Sequence, residues 1–177
     1  LEKNMQQFVT REEFEAVKKA MGVKTSSVAP TKTTETKSAS IDDSSSSTVS
    51  IGEVKTAEDK AKLMSEAKKD YDAKAYTTAI PKYEKLIEVN YKPAENNFYL
   101  GEMWYKRKKY DTAISHFKKS AMLNDKAAYM PTLLLHSAIS FENVKDKENA
   151  KSFYGTLIEL YPNSSEAKEA KTKLSKL

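Results

Sequence analysis

The chain has no cysteine, only four glycines and five prolines. Without cysteine there is no disulfide framework, no thiolate metal site and no cysteine nucleophile. So few turn-formers argue against sheets joined by tight turns and favour helices. Glycines at 22, 52, 101 and 155 form no phosphate-cradling loop. No apolar run approaches the roughly 20 residues that span a bilayer. The sequence starts at Leu1 rather than Met, so any signal peptide is expected to have preceded it. Only His116 and His136 supply imidazole, too few for a metal site of three or four ligands. With nine of the 18 serines in a low-complexity stretch, no catalytic constellation emerges. A non-enzymatic protein without cofactor is the expectation.

Apolar residues make up 39% of the 177 residues and charged residues 31%, a polar balance for a globular chain. The polarity is local. Residues 24–56 hold 16 Ser or Thr and no Leu, Phe, Tyr or Trp. Such a stretch cannot bury enough apolar surface to offset its ordering entropy. The expectation for 23–56 is a disordered, flexible linker, with ends about 30 Å apart as a random coil. The net charge of +5 lies in residues 57–177, with 22 basic and 17 acidic side chains. Spread that thinly, it does not make a nucleic-acid face. The densest run, Lys106-Arg107-Lys108-Lys109, reads as a solvated turn.

Before the linker, Leu1, Met5, Phe8, Phe14, Val17 and Met21 recur at spacings of three and four. They predict an amphipathic helix over 1–22, with Thr10 and Glu13 as a capping box. A helix this short is marginal alone, so the stripe reads as a coiled-coil remnant and an oligomerisation surface.

Residues 57–177 repeat. Tyr76-x-x-Ala79-Ile80-x-x-Tyr83 aligns with Tyr110-x-x-Ala113-Ile114-x-x-Phe117, 34 positions on, and with Lys147-x-x-Ala150-x-x-x-Tyr154, 37 further. Twelve positions before each alanine stands a small residue: Ala67, Gly101 and Ala138. Two antiparallel helices can approach closely where side chains are small, which predicts Ala67 against Ala79, Gly101 against Ala113 and Ala138 against Ala150. The aromatics then fill the space between successive pairs, and the pairs stack because none covers its own apolar face. The period and pattern resemble the tetratricopeptide repeat. The fold expected is all-α: a three-repeat superhelix (about 58–91, 92–127 and 128–162) closed by a capping helix over 164–177. Pro93 and Pro131 open helices, Pro162 follows one, and Pro81 predicts a late start or small kink. Departures are Asn97 where Leu63 and Leu134 are large, Leu86 and Leu157 where a small residue such as Ser120 is expected, and Asp70 in an inward phase.

The first helix of each repeat is expected to line a concave wall. Met64, Lys68, Tyr71 and Asp72 take that phase in the first repeat, and Phe98, Glu102, Tyr105 and Lys106 in the second. Leu135, Ile139, Glu142 and Asn143 take it in the third. Phe98, Leu135 and Ile139 suit core equally well. Tyr71 and Tyr105 lean to the groove, since Asp70 and Trp104 hold the more inward phase. Aromatics with mixed charges suit a peptide segment.

Leu160-Tyr161-Pro162-Asn163-Ser164-Ser165-Glu166-Ala167-Lys168, followed by Ala170-Lys171 and Leu174, resembles the C-terminal end of the YbgF/CpoB family of Tol–Pal accessory proteins. Tyr99-Leu100-Gly101-Glu102-x-Trp104-Tyr105 with Lys109-Tyr110-Asp111-x-Ala113-Ile114 resembles its central repeat, and Asp146-Lys147-x-x-Ala150-Lys151 its third. The resemblance implies a periplasmic adaptor. Such a protein would trimerise through its N-terminal helix, bind a Tol-type energy transducer and coordinate peptidoglycan synthesis with outer-membrane constriction in cell division. The other reading is a scaffold subunit of another envelope assembly, such as an outer-membrane assembly factor or a flagellar-motor-associated protein.

Overall fold

A computed structural model describes residues 50–177. The proposed oligomerisation residues Leu1, Met5, Phe8, Phe14, Val17 and Met21, and most of the proposed linker, lie outside the described residues. The described residues form seven α-helices: α1 Ala57–Asp72, α2 Tyr76–Glu88, α3 Pro93–Lys106, α4 Tyr110–Leu123, α5 Met130–Asn143, α6 Lys147–Leu160 and α7 Ser165–Leu174. Helices α1–α2, α3–α4 and α5–α6 are hairpins, each stacked on the next, and α7 closes the stack against α5 and α6.

Local chemistry sets the ends. Thr56 Oγ1 accepts from the Asp59 N–H at 3.0 Å while Asp59 accepts from the Thr56 N–H at 2.9 Å, a capping box at the start of α1. Asp146 caps α6 and Ser164 caps α7 in the same side-chain-to-backbone manner. Pro93 stands at the start of α3 and Pro131 at that of α5, where a missing N–H costs little. The hairpin turns share one device. In the first, the Ala75 N–H reaches Asp70 O at 2.8 Å and the Lys74 N–H reaches Tyr71 O at 2.9 Å, the double bond of a Schellman stop. Lys74, Lys108 and Lys145 sit at that stop with φ of 59°, 59° and 68°, where glycine is the low-strain choice. The Lys106–Lys109 run is therefore part of a turn.

Pro81 does not delay α2, which runs unbroken from Tyr76. The proline leaves the Thr77 carbonyl without its helical donor. Thr77 is exposed, so water can satisfy it.

The small residues are buried as the repeat requires: Ala67, Ala79, Ala113, Ala138 and Ala150 are all 0% exposed. At Gly101 a built Cβ would meet Phe117 Cδ1 at 2.5 Å, so this aromatic of the facing helix sets the need for glycine. Tyr83 does bridge successive pairs, stacking on Tyr99 of α3 with centroids 5.2 Å apart. Buried Tyr83, Phe117 and Tyr154 anchor the three hairpins, each contributing about 1.5–3 kcal/mol of apolar burial.

Asn97, Asp70 and the small Ser120 make polar contacts between helices. Asn97 Nδ2 donates to Pro93 O at 2.9 Å, and its Oδ1 accepts from His116 Nδ1 at 3.0 Å. Ser120 Oγ donates to Ala94 O at 2.7 Å and shares a hydrogen bond with the Tyr129 hydroxyl. Asp70 meets Lys82 Nζ of α2 at 2.9 Å. Asn97 and Ser120 are buried and Asp70 is half-buried, each with a partner that removes most of its desolvation cost. The end of the proposed linker also has structure: Ile51 and Val54 are half-buried against the first hairpin's apolar cluster.

Candidate functional site

The first helices α1, α3 and α5 form one wall of the stack. The sequence-derived positions on it separate by burial. Met64, Phe98 and Leu135 are 9%, 8% and 4% exposed, which corrects their assignment as binding residues. Each continues the apolar stripe of its helix into the core; Phe98, for instance, stacks on Tyr129 at 4.2 Å. Lys68, Asp72, Lys106 and Asn143 are exposed, and Tyr71, Tyr105, Ile139 and Glu142 are half-buried. Those eight offer surface.

Glu102 is 5% exposed, too enclosed to serve as a rim contact. His136 Nδ1–H, on the next repeat, donates to Glu102 Oε1 at 2.5 Å. The His136 ring stacks on Tyr105 with centroids 4.2 Å apart. Sequence reasoning missed His136 as a wall residue. The signal available was its position 34 after Glu102, one repeat on. Tyr99 was also missed. It joins Tyr71 at 5.0 Å and lies beneath Lys68 Nζ at 5.8 Å. Lys106 Nζ lies 5.6 Å over Tyr105.

Carboxylates gather at the other end of the wall. The Tyr154 hydroxyl donates to Glu142 Oε2 at 2.8 Å. Thr132 Oγ1 donates to Glu166 Oε1 at 3.0 Å, linking α5 to α7. Burial first, then the charges of Glu102 and Glu169, push the Tyr105 hydroxyl up to about 12. Burial, and after it the hydrogen bond to Glu142, pushes Tyr154 up as well. Tyr71 is raised by burial and by Glu102. These phenols therefore stay protonated at neutral pH and offer O–H donors. Hydrogen bonding from the Glu166 backbone, aided by Ser165 and Thr132, holds the Glu166 carboxyl below its ordinary value.

Among the described residues no group of three or more His, Asp or Glu is placed to hold a metal ion. No helix among them is long and apolar enough to cross a membrane. The wall has the makings of a peptide-recognition surface: rigid aromatics set in helices, fixed phenol donors and exposed charge.

Comparison with known proteins agrees with this architecture. Residues 132–164 match the tetratricopeptide repeat family. The tetratricopeptide-repeat domain of Arabidopsis OM64 is similar in structure, with a TM-score of 0.59 at 17% identity, covering 66% of this chain and 94% of that one. None of the curated proteins compared matches the chain. The described residues thus have a tetratricopeptide-repeat fold, an architecture that serves as a protein-interaction scaffold.

Proposed function

We propose that the protein is a non-enzymatic adaptor that holds a partner protein against the wall of α1, α3 and α5. The observation that carries the reading is the row of half-buried side chains Tyr71, Tyr105 and Ile139, fixed on stacked helices with no covering element among the described residues. Aromatic anchors with little conformational entropy left to lose are the residues that supply most binding energy at protein interfaces.

The specific form of the proposal is a periplasmic Tol–Pal accessory protein that binds a Tol-type energy transducer and helps coordinate wall synthesis with outer-membrane constriction at division. Its support is the resemblance of the central repeat and of the Tyr161-Pro162-Asn163-Ser164 ending to the YbgF/CpoB family. In this reading Leu1, Met5, Phe8, Phe14, Val17 and Met21 assemble a homotrimer, and the linker sets the effective concentration of the three walls. The test is affinity capture from a Gram-negative periplasmic extract with the full chain and with Tyr105→Ala. A Tol component retained by the first and lost by the second is expected. Recovery of no Tol component removes the specific form, and equal recovery by both removes the wall.

A further inference from the structure

The wall carries one aromatic arrangement twice. Tyr71 and Tyr76 flank the turn of the first hairpin with ring centroids 6.1 Å apart. Tyr105 and Tyr110, 34 positions on, flank that of the second, also 6.1 Å apart. The rings are tilted by 44° in the first pair and 68° in the second, so each pair forms an angled notch rather than a flat stack. All four tyrosines are half-buried. Tyr99 of α3 packs edge-on against Tyr71 at 5.0 Å, which ties the first notch to the next repeat. The third hairpin lacks the arrangement. Its corresponding positions, 37 further on, hold Glu142 and Lys147.

The polarity of this half of the wall is one-sided. Among the described residues, the hydrogen-bonded phenols are those of Tyr129 and Tyr154, which leaves the hydroxyls of both notches unpaired. A further donor lies beneath them. Tyr83 is 0% exposed, stacks on Tyr99, and its hydroxyl has no partner. In the third repeat the equivalent phenol, Tyr154, donates to Glu142; in the first, Tyr71 stands where that carboxylate would be. Lys68 and Lys106 add ammonium donors over the Tyr99 and Tyr105 rings. The wall-phase carboxylates of α1 and α3 are engaged, Asp72 with Lys68 and Glu102 with His136. Lys106 is exposed and has no ion-pair partner among the described residues, so it leaves the Tyr105 ring at little cost. The complement of aromatic faces set with donors is an apolar chain rich in acceptors and poor in donors of its own.

We infer that the α1–α3 half of the wall receives a proline-rich segment of the partner in the polyproline II conformation. Such a chain has no internal hydrogen bonds, so its carbonyls are free to accept, and proline has no N–H to leave unpaired. Its rigid rings rest on the tyrosine notches, and its carbonyls accept from the phenols and from Lys68 and Lys106. Aromatic-lined grooves suit these segments because the bound conformation is preformed and little entropy is lost. The spacing agrees. One polyproline II turn of three residues advances about 9 Å, and packed helices lie about 8–10 Å apart. Prolines three residues apart therefore meet successive notches, and two notches call for a segment of about six residues. The inference rests on the adaptor reading and adds the chemistry of the bound segment.

The test titrates the full chain with three labelled peptides of equal length: one with proline at every third position, one with those prolines replaced by alanine, and one acidic. Binding is read by anisotropy and by amide shifts at Tyr76 and Tyr110. The proline peptide is expected to bind at least about tenfold tighter than the alanine peptide, with little change as salt rises. Tyr76→Leu and Tyr110→Leu should each weaken it roughly three- to tenfold. Tyr110→Phe should weaken it less, since the ring stays and only a donor goes. The comparison of peptides on the parent chain does not depend on any variant folding. Equal affinity for the proline and alanine peptides overturns the inference, as does proline-peptide binding that neither leucine variant alters. If the acidic peptide alone shifts the amides, the proline-rich segment is wrong and the adaptor reading survives. If no peptide shifts them, the inference falls, and the adaptor reading falls with it only where Tyr105→Ala also leaves partner capture unchanged.

Discussion

Glu102 and His136 stand 34 residues apart in the chain and are joined by one hydrogen bond of 2.5 Å. The same separation joins Thr132 to Glu166. The repeat period is thus present as physical rungs, each running from a first helix to its successor. The rungs fix how far one hairpin rotates on the next, and with it the spacing of Tyr71, Tyr105 and Ile139 along the wall.

Gly101→Ala should destabilise the fold by about 1–2 kcal/mol. The new methyl would meet Phe117 carbons at 2.5 and 2.6 Å, and overpacking of that kind costs roughly 1–3 kcal/mol. Alanine's better helix propensity, about 1 kcal/mol, offsets only part of this. Urea denaturation measures the difference. A variant as stable as the parent would mean that Phe117 moves freely and that the hairpin contact is loose.

Lys74→Gly and Lys108→Gly should each raise stability, by up to about 1 kcal/mol. A left-handed conformation costs an L-residue roughly 1–2 kcal/mol, and glycine's larger unfolded-state entropy returns part of the gain. The favourable lysine charge near the helix C-terminus is also lost. Thermal unfolding of the two variants checks the sign. A fall in Tm at both would show that the turns hold the lysines without strain.

His116 should titrate at about 4, below its ordinary 6.5, because burial disfavours the imidazolium and Lys119 adds to the effect. The folded pKa lies below the unfolded one, so the stabilisation is present above about 6.5 and is lost as pH falls from there towards 4. A shift of that size corresponds to about 3 kcal/mol, which the ring's partial exposure reduces to the order of 2 kcal/mol. NMR titration of the ring protons tests it, with His116→Gln flattening that part of the stability profile. A midpoint near 6.5 would contradict the enclosed Asn97–His116 pair.

Asp70→Asn should cost about 1 kcal/mol at neutral pH, since the carboxylate accepts from the partly buried Lys82 at 2.9 Å. That hydrogen bond is the chief reason the Asp70 pKa is lowered from 3.8. A lowered carboxyl contributes stability above its unfolded value and loses it as pH falls below about 3.8. Parent and variant stability curves should therefore converge in acid. Curves that stay parallel would place the effect outside the ion pair.

Much of this architecture was legible because one rule, small against small at a fixed interval, leaves a mark in a linear chain. Ala67, Ala79, Ala113, Ala138 and Ala150 carry that mark and are buried. The missed features depend on partners that periodicity does not pair. Asn97 looks out of place until His116 is set beside it, and Asp70 until Lys82 is. The candidate binding residues were legible only in part, because a stripe's edge and its centre share the same phase. Met64, Phe98 and Leu135 fell on the inner side of that edge, and Tyr71, Tyr105 and Ile139 on the outer.

The segment over residues 50–55 has a mechanical consequence. Ile51 and Val54 hold it to the first hairpin through side-chain contact, whereas α1 behind it is anchored by the Thr56–Asp59 pair and a ladder of backbone bonds. Tension applied from upstream therefore meets two half-buried apolar contacts before any helix. They peel first, lengthening the chain under load while the stacked hairpins and the wall keep their form.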